Sequence, residues 1–180
     1  MAYYYSPFRK NYVKKNNKNY CPFCDLDNIK KHIITNKKGI QIENKSYYWF
    51  VNFFPKFDGH TMIVPRRHIV SIKDETDKET LDRKKIICFA IKQLKKIYPK
   101  CGFEIFLQYG QSSNSSIKHL HWHIAPANMN DELRSFEKLG HFYTTKKNQK
   151  KILIFPTKIK TSPEQLINIL SQSIGYSVLK

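Results

Sequence analysis

Acidic residues are scarce in this chain, glycine and cysteine are few, and long apolar runs are missing. Only six of the 180 residues are Gly, which excludes a collagen-like repeat. Four Cys in a chain of this length exclude a disulfide-stapled mini-protein. The longest stretch without Lys, Arg, Asp or Glu is Gln165–Leu179, and its 15 residues include two Gln, one Asn and three Ser. No segment therefore reads as a bilayer-spanning helix. No apolar h-region follows the first residues, so no secretory signal is expected, and the expectation is a soluble, cytoplasmic protein with no membrane partner. What is present is ordinary for one globular domain: 41% hydrophobic and 26% charged residues. A chain of this size buries roughly 70% of the surface it exposes when unfolded, enough for a core without staples.

The shortage of acid leaves 14 Asp and Glu against 32 Lys and Arg, a net charge of +18. That balance attracts polyanions, nucleic acid among them. Yet 27 of the cations are Lys and only five are Arg (Arg9, Arg66, Arg67, Arg83, Arg134), and Ile, Asn, Tyr and Phe are abundant. A scattered Lys-rich surface accounts for the charge equally well, so nucleic acid is a possible partner and not the favoured one. Residues 1–20 hold five basic residues, several Tyr and no acid, and read as a basic aromatic arm ahead of a single domain, 21–180.

Within that domain, Gly39–Glu43 and Ser46–Phe53 read as strands joined at Asn44-Lys45. His60–Val64 is a short apolar strand ended by Pro65, after a loop at Pro55–Gly59. Thr76-Asp77-Lys78-Glu79 is a capping box. It predicts a helix to about Tyr98, stopped by Pro99, with Leu81, Ile87, Ile91, Leu94 and Tyr98 on its apolar face. Cys88 inside it and Cys101 after it are expected to be buried thiols. Phe103–Gln108 reads as a strand and Tyr109–Lys118 as a polar loop. His119–Ile124 alternates, with three His on one face and Leu120, Trp122 and Ile124 on the other. The chain beyond Pro126 is loop-rich and basic, with a short strand at Ile152–Phe155. Ser162-Pro163 opens a last helix.

Three aligned imidazoles can supply a nucleophile and a donor for phosphoryl chemistry, and imidazole is also the commonest zinc ligand. Cys21-Pro-Phe-Cys24 has a spacing suited to metal or redox chemistry in a reducing compartment. His119-Leu120-His121-Trp122-His123 resembles the His-x-His-x-His signature of the histidine triad (HIT) superfamily of nucleotide hydrolases and transferases. Asn52…Pro55…Gly59-His60…Pro65 and Gln108-Tyr109-Gly110…Ser116…His119 resemble that family's other blocks, in its order. Ser6-Pro7-Phe8-Arg9 with Cys21 and Cys24 resembles the opening of the bacterial diadenosine tetraphosphate phosphorylase-like branch. Gln108 is more like the diadenosine triphosphate hydrolase branch, and Asn114-Ser115 stands where many members have Gly-Gln. The resemblance covers about residues 6–127.

The resemblance implies an α+β fold: an antiparallel sheet of about five strands with one long helix, paired into a homodimer. It implies cleavage of nucleotide phosphoanhydrides, dinucleoside polyphosphates first among them, by hydrolysis or phosphorolysis. His121 would be the nucleophile that forms a nucleotidyl-histidine, and His123 would hold the phosphoryl or bridging oxygens. Gln108 and Ser116 would bind phosphates and Asn52 the ribose, while the backbone of His60 braces the site. Cys21, Cys24, His68 and His119 match the ligands of zinc-binding members, which makes a closed structural Zn²⁺ site. Two other functions stay open: aprataxin-like removal of adenylate from nucleic-acid ends, and a non-catalytic nucleotide-binding role. His32, His141, Arg66 and Arg67 read as surface residues.

Overall fold

Tyr47–Val51 (β1) is a run of Tyr, Tyr, Trp, Phe and Val, side chains that suit a pleated surface buried on both sides, and all five residues are buried. In the computed structural model, residues 20–38, 41–52, 55, 57–110, 113, 115, 117–127 and 160–175 are described. The arm over residues 1–19, the strand expected at 152–155, Ser116 and His141 lie outside the described residues. β1 pairs antiparallel with Thr61–Pro65 (β2), Tyr47 opposite Pro65 and Val51 opposite Thr61. The other two strands are Gly102–Leu107 (β3) and Trp122–Ala127 (β4), and the sheet order is β1-β2-β4-β3. The strand expected at Gly39–Glu43 is reduced to isolated bridges, Thr35 to Gln41 and Glu43 to Tyr48. Asn44 turns the chain there, its Oδ1 accepting from Ser46 N at 3.0 Å and Tyr47 N at 2.8 Å. The described sheet thus has four strands where about five were expected.

The histidine strand also begins later than the alternation suggests. Leu120 N donates to Ile69 O at 2.8 Å, and the His119 carbonyl is taken by a ring nitrogen of His121. Residues 119–121 therefore stand outside the ladder, which starts at Trp122. Pro126, which has no N–H to give, sits beyond the last β2 partner of β4, where Ile124 pairs with Thr61.

Asp77–Ile97 (α2) follows a short helix, Leu26–Lys30 (α1), and a 3₁₀ turn at Ile72–Asp74. The expected capping box is formed: Glu79 N donates to Thr76 Oγ1 and Thr76 N to Glu79 Oε2. α2 packs on the sheet through Ile86, Ala90 and Leu94, with Gln93 also buried. This is an i, i+4, i+8 row rotated from the expected face: Leu81 falls on the opposite side of the helix from it and is 53% exposed. Cys88 points away from the sheet and is exposed. Pro163–Ile174 (α3) closes the core against α2 through Leu166, Leu170 and Ile174. Its cap is tied down at Thr161 N, which donates to Asp58 Oδ1 at 3.0 Å. Among the described residues no helix is long and apolar enough to cross a membrane.

The two sheet faces serve different ends. Trp49, Ile63, Trp122 and Ile124 join the main core under α2. Tyr48, Phe50, Met62 and Val64 pack on the other face with Phe23, Ile29 and Ile33 of the α1 segment. By the alternation of β4, His123 belongs to this second face.

Candidate active site and metal centre

His119, His121 and His123 are all buried, at 2%, 5% and 5% exposure. Buried imidazoles need partners, and the partners fix their tautomers. His121 Nδ1 lies 2.7 Å from His119 O. A carbonyl can only accept, so Nδ1 carries the proton and the lone pair is on Nε2. His119 Nε2 lies 3.0 Å from Pro65 O, so this ring has the opposite tautomer and its lone pair is on Nδ1. Adjacent triad rings are therefore committed to different tasks by backbone carbonyls alone.

His123 is set by side chains. Its Nδ1 is 2.8 Å from His60 Nε2, and Asn52 Nδ2 is 3.1 Å from His60 Nδ1 and 3.3 Å from His60 Nε2. With the amide donating to His60 Nδ1, His60 Nε2–H donates to His123 Nδ1, which leaves the His123 proton on Nε2. Two phenyl rings enclose this pair. Phe57 lies on His60 at 4.0 Å between centroids, and Phe106 stacks on His123 at 4.8 Å and 16°. The centroids of the His121 and His123 rings are 4.9 Å apart with the planes at 71°.

The sequence motifs pointed to the His60 backbone, and it does brace the site: Asn52 N donates to His60 O at 3.0 Å. Its side chain, wholly buried, is the functional group that sequence reasoning left without a task. The Gly59-His60 spacing was the available signal. Gly59 adopts φ +74°, and a Cβ there would lie 2.6 Å from Pro126 Cγ and 2.8 Å from Tyr98 Cε2. Glycine is what lets the chain pass between α2 and β4 to deliver His60. Gln108 braces the polar loop, its Nε2 donating to Ser113 O at 2.8 Å. Ser116 lies outside the described residues.

Next to the triad, Cys21, Cys24, His68 and His119 come together, their ligand atoms all within 4.8 Å of one another. His119 Nδ1 is 3.3 Å from Cys21 Sγ and 3.6 Å from Cys24 Sγ, and His68 Nδ1 is 3.2 Å from Cys24 Sγ. A tetrahedral zinc centre with ordinary Zn–S and Zn–N bonds separates its S and N ligands by about 3.6 Å, so the donor set fits the metal. The Pro65 carbonyl on the far nitrogen of His119 is the support that metal-bound histidines need. Burial, with His68 and His121 nearby, pushes His119 down to about 4, which keeps it neutral as a ligand must be. Burial and the adjacent Cys21 thiol push Cys24 up to about 11; a bound dication reverses that preference and favours the thiolate. Phe23, between the two cysteines, meets the His119 and His121 rings edge-on at 5.7 and 5.2 Å.

Arg66 and Arg67 are exposed, as expected, and both are held by ion pairs. Arg67 makes a two-pronged pair with Glu79 at 3.0 and 2.9 Å, tying the residue before His68 to the start of α2. Arg66 pairs with Glu43 and lies over the Tyr48 ring. His32 is half-buried, and burial first, then Lys31, push it down to about 4.

Residues 34–130, more than half of the chain, match the family model described as HIT domain. The AP-4-A phosphorylase of Mycobacterium tuberculosis is 29% identical over 130 residues, 68% of this chain and 66% of the relative, so the match spans just under two thirds of that protein. The asymmetrical bis(5'-nucleosyl)-tetraphosphatase of Schizosaccharomyces pombe is 29% identical over 77 residues, 43% of this chain and 42% of its own. A hypothetical histidine triad nucleotide-binding protein of Sulfolobus tokodaii shares the fold, with a TM-score of 0.59 and 21% identity over 86% of this chain and 91% of that one.

Proposed function

The chain belongs to the HIT domain family, and from that premise we propose that it cleaves nucleotide phosphoanhydrides, dinucleoside polyphosphates of the diadenosine tetraphosphate type, through a covalent nucleotidyl-histidine on His121. The observation that carries this reading is the pairing of tautomers, His121 with its lone pair on Nε2 and His123 with its proton there. The names of the mycobacterial and fission-yeast relatives support the substrate class.

In the first step His121 Nε2 attacks the α-phosphorus. A P–N bond forms and the bond to the bridging oxygen breaks, while His123 Nε2–H donates a hydrogen bond to that oxygen, which leaves as the polyphosphate anion. The His119 carbonyl, 2.7 Å from His121 Nδ1, stabilises the positive charge that grows on the ring. His60 and Asn52 hold His123 in the tautomer that offers this hydrogen bond. In the second step water or inorganic phosphate attacks phosphorus, the P–N bond breaks and returns the lone pair to His121 Nε2, and the proton of an attacking water passes to solvent. Two easier displacements replace one difficult one. Asn52 meets the ribose through Oδ1, and Gln108 and Ser116 present the phosphate loop. Zn²⁺ held by Cys21, Cys24, His68 and His119 is structural, because four protein ligands leave no open position. The homodimer that the resemblance implies would use β3, at the edge of the described sheet, where Ile105 is 44% exposed.

A product assay with diadenosine tetraphosphate, run with and without inorganic phosphate, tests the reading. ADP formed only with phosphate identifies a phosphorylase, and AMP with ATP a hydrolase. No turnover under either condition removes the catalytic reading and leaves a nucleotide-binding one.

A further inference from the structure

The outward side of α2 carries charge of one sign over most of its length. From Arg83 to Lys100 the chain has seven cations and no Asp or Glu. Lys84, Lys85, Lys92, Lys95 and Lys96 are all exposed. At the pitch of an α-helix these five fall within an arc of about 120° and a length of about 18 Å, opposite the buried row of Ile86, Ala90 and Leu94. Asp77, at the start of the helix, is the one acid on that arc. Among the described residues none of the five lysines forms an ion pair. Lys95 Nζ donates to Cys101 O, and Lys96 Nζ to Gln93 Oε1 and Ser173 O. These acceptors are neutral and leave the positive charges uncompensated.

We propose that this face of α2 docks on the phosphate backbone of nucleic acid and tethers the protein there without taking it as substrate. Duplex DNA presents a phosphate about every 3.4 Å along each strand, so 18 Å of helix spans about five. Lysines are point charges, with none of the planar forks or stacking of arginine, so the surface reads charge and not sequence. An anionic membrane is the poorer match, because the arc offers only Leu81 and Cys88 for insertion where an interfacial helix presents a broad apolar side. The sheet lies between this surface and the histidines. α2 packs on the Trp49, Ile63 and Ile124 face, and His123 is on the other, so docking does not cover the histidine side of the sheet.

Anisotropy of a labelled duplex of about 20 base pairs, titrated over a salt series, tests the docking. The stripe variant is Lys84→Gln, Lys85→Gln, Lys92→Gln. The control variant, Lys37→Gln, Lys45→Gln, Lys73→Gln, removes the same charge from exposed sites elsewhere. The stripe variant should lose about tenfold or more in affinity near physiological salt, and its log–log salt slope should be shallower by about 2–3. The control should stay within about threefold of wild type, and a stripe rebuilt with Arg should keep binding. Duplex sequence should not matter, and saturating duplex should leave nucleotide turnover unchanged. Equal losses in the two variants would mean a diffuse effect of the +18 charge, and absence of binding near physiological salt would also overturn the proposal. So would tighter binding to phosphatidylserine vesicles than to duplex, or competitive inhibition of turnover by duplex, which would place nucleic acid at His121.

Discussion

Two histidines two residues apart differ in task because each ring gives its proton to a different carbonyl. His121 bonds the carbonyl of His119, and His119 bonds that of Pro65. His121→Ala should abolish turnover while nucleotide binding stays measurable, since the proposed ribose and phosphate contacts lie on other residues. A single-turnover assay checks this, and a rate within about tenfold of wild type, roughly 1.4 kcal/mol, would rule out the covalent step. His60→Ala should lower the rate too, with the larger loss on substrates whose leaving group is a poor one, because the proton on His123 Nε2 depends on its relay. His32 offers a residue-scale test of stability. Its folded value near 4 is below the ordinary 6.5, so between those values the unfolded chain binds more protons. Stability tied to His32 is present above about pH 6.5 and is lost as pH falls toward 4. His32→Gln should therefore gain in thermal midpoint relative to wild type across that window, and a difference independent of pH would contradict the assignment.

At the scale of elements, what was legible in the sequence was what local chemistry decides. The Thr76–Glu79 box and the Ser162-Pro163 cap each involve neighbours in the chain, and each is found, while the alternation expected at 119–124 forms a paired strand only from Trp122. The misses come from long-range packing. Leu81 was placed on the apolar face, yet at about 100° per residue it lies opposite the Ile86, Ala90 and Leu94 row that meets the sheet. The strand at 41–43 frays into bridges because Asn44 turns the chain beside it. The four residues that meet in the Cys/His cluster were legible through the family pattern, and the His60 side chain was not, since its partner is 63 positions away. Gly59 links these elements. Its φ of +74° and the closeness of Pro126 and Tyr98 mean that Gly59→Ala must shift either the end of α2 or β4. It should destabilise the fold by more than about 1 kcal/mol, and His60 should move off His123, so turnover falls more than folding accounts for. Thr76→Ala, at the other end of α2, should cost about 1 kcal/mol and leave turnover of the folded protein unchanged. Chemical denaturation with parallel rate measurements separates the two.

At the scale of the whole molecule, the described structure is a sheet held from one side by α2 and α3 and covered on the histidine side by the segment around α1. That segment has little strength of its own. α1 is five residues long, far below what a helix needs to persist alone in water. Phe23, Ile29 and Ile33 anchor it to Tyr48, Phe50, Met62 and Val64, and the Cys21–Cys24 pair anchors it at the metal-ligating cluster. A metal that binds only the folded arrangement adds its binding energy to folding. Purified protein should therefore contain zinc at about one per chain. A chelator, or Cys21→Ser with Cys24→Ser, should lower the thermal midpoint. The affinity should fall as pH drops, because both thiols must lose their protons and both imidazoles must stay neutral. Hydrogen exchange locates the effect: amides of residues 20–33 should gain exchange on zinc removal, while those of Ile86–Leu94 in the core of α2 should not. The loss of activity should be partial, because the metal acts on the reaction only through His119, whose carbonyl holds His121 in its tautomer. Metal-free protein with an unchanged midpoint and unchanged exchange at 20–33 would show that these four side chains meet without a cation to join them.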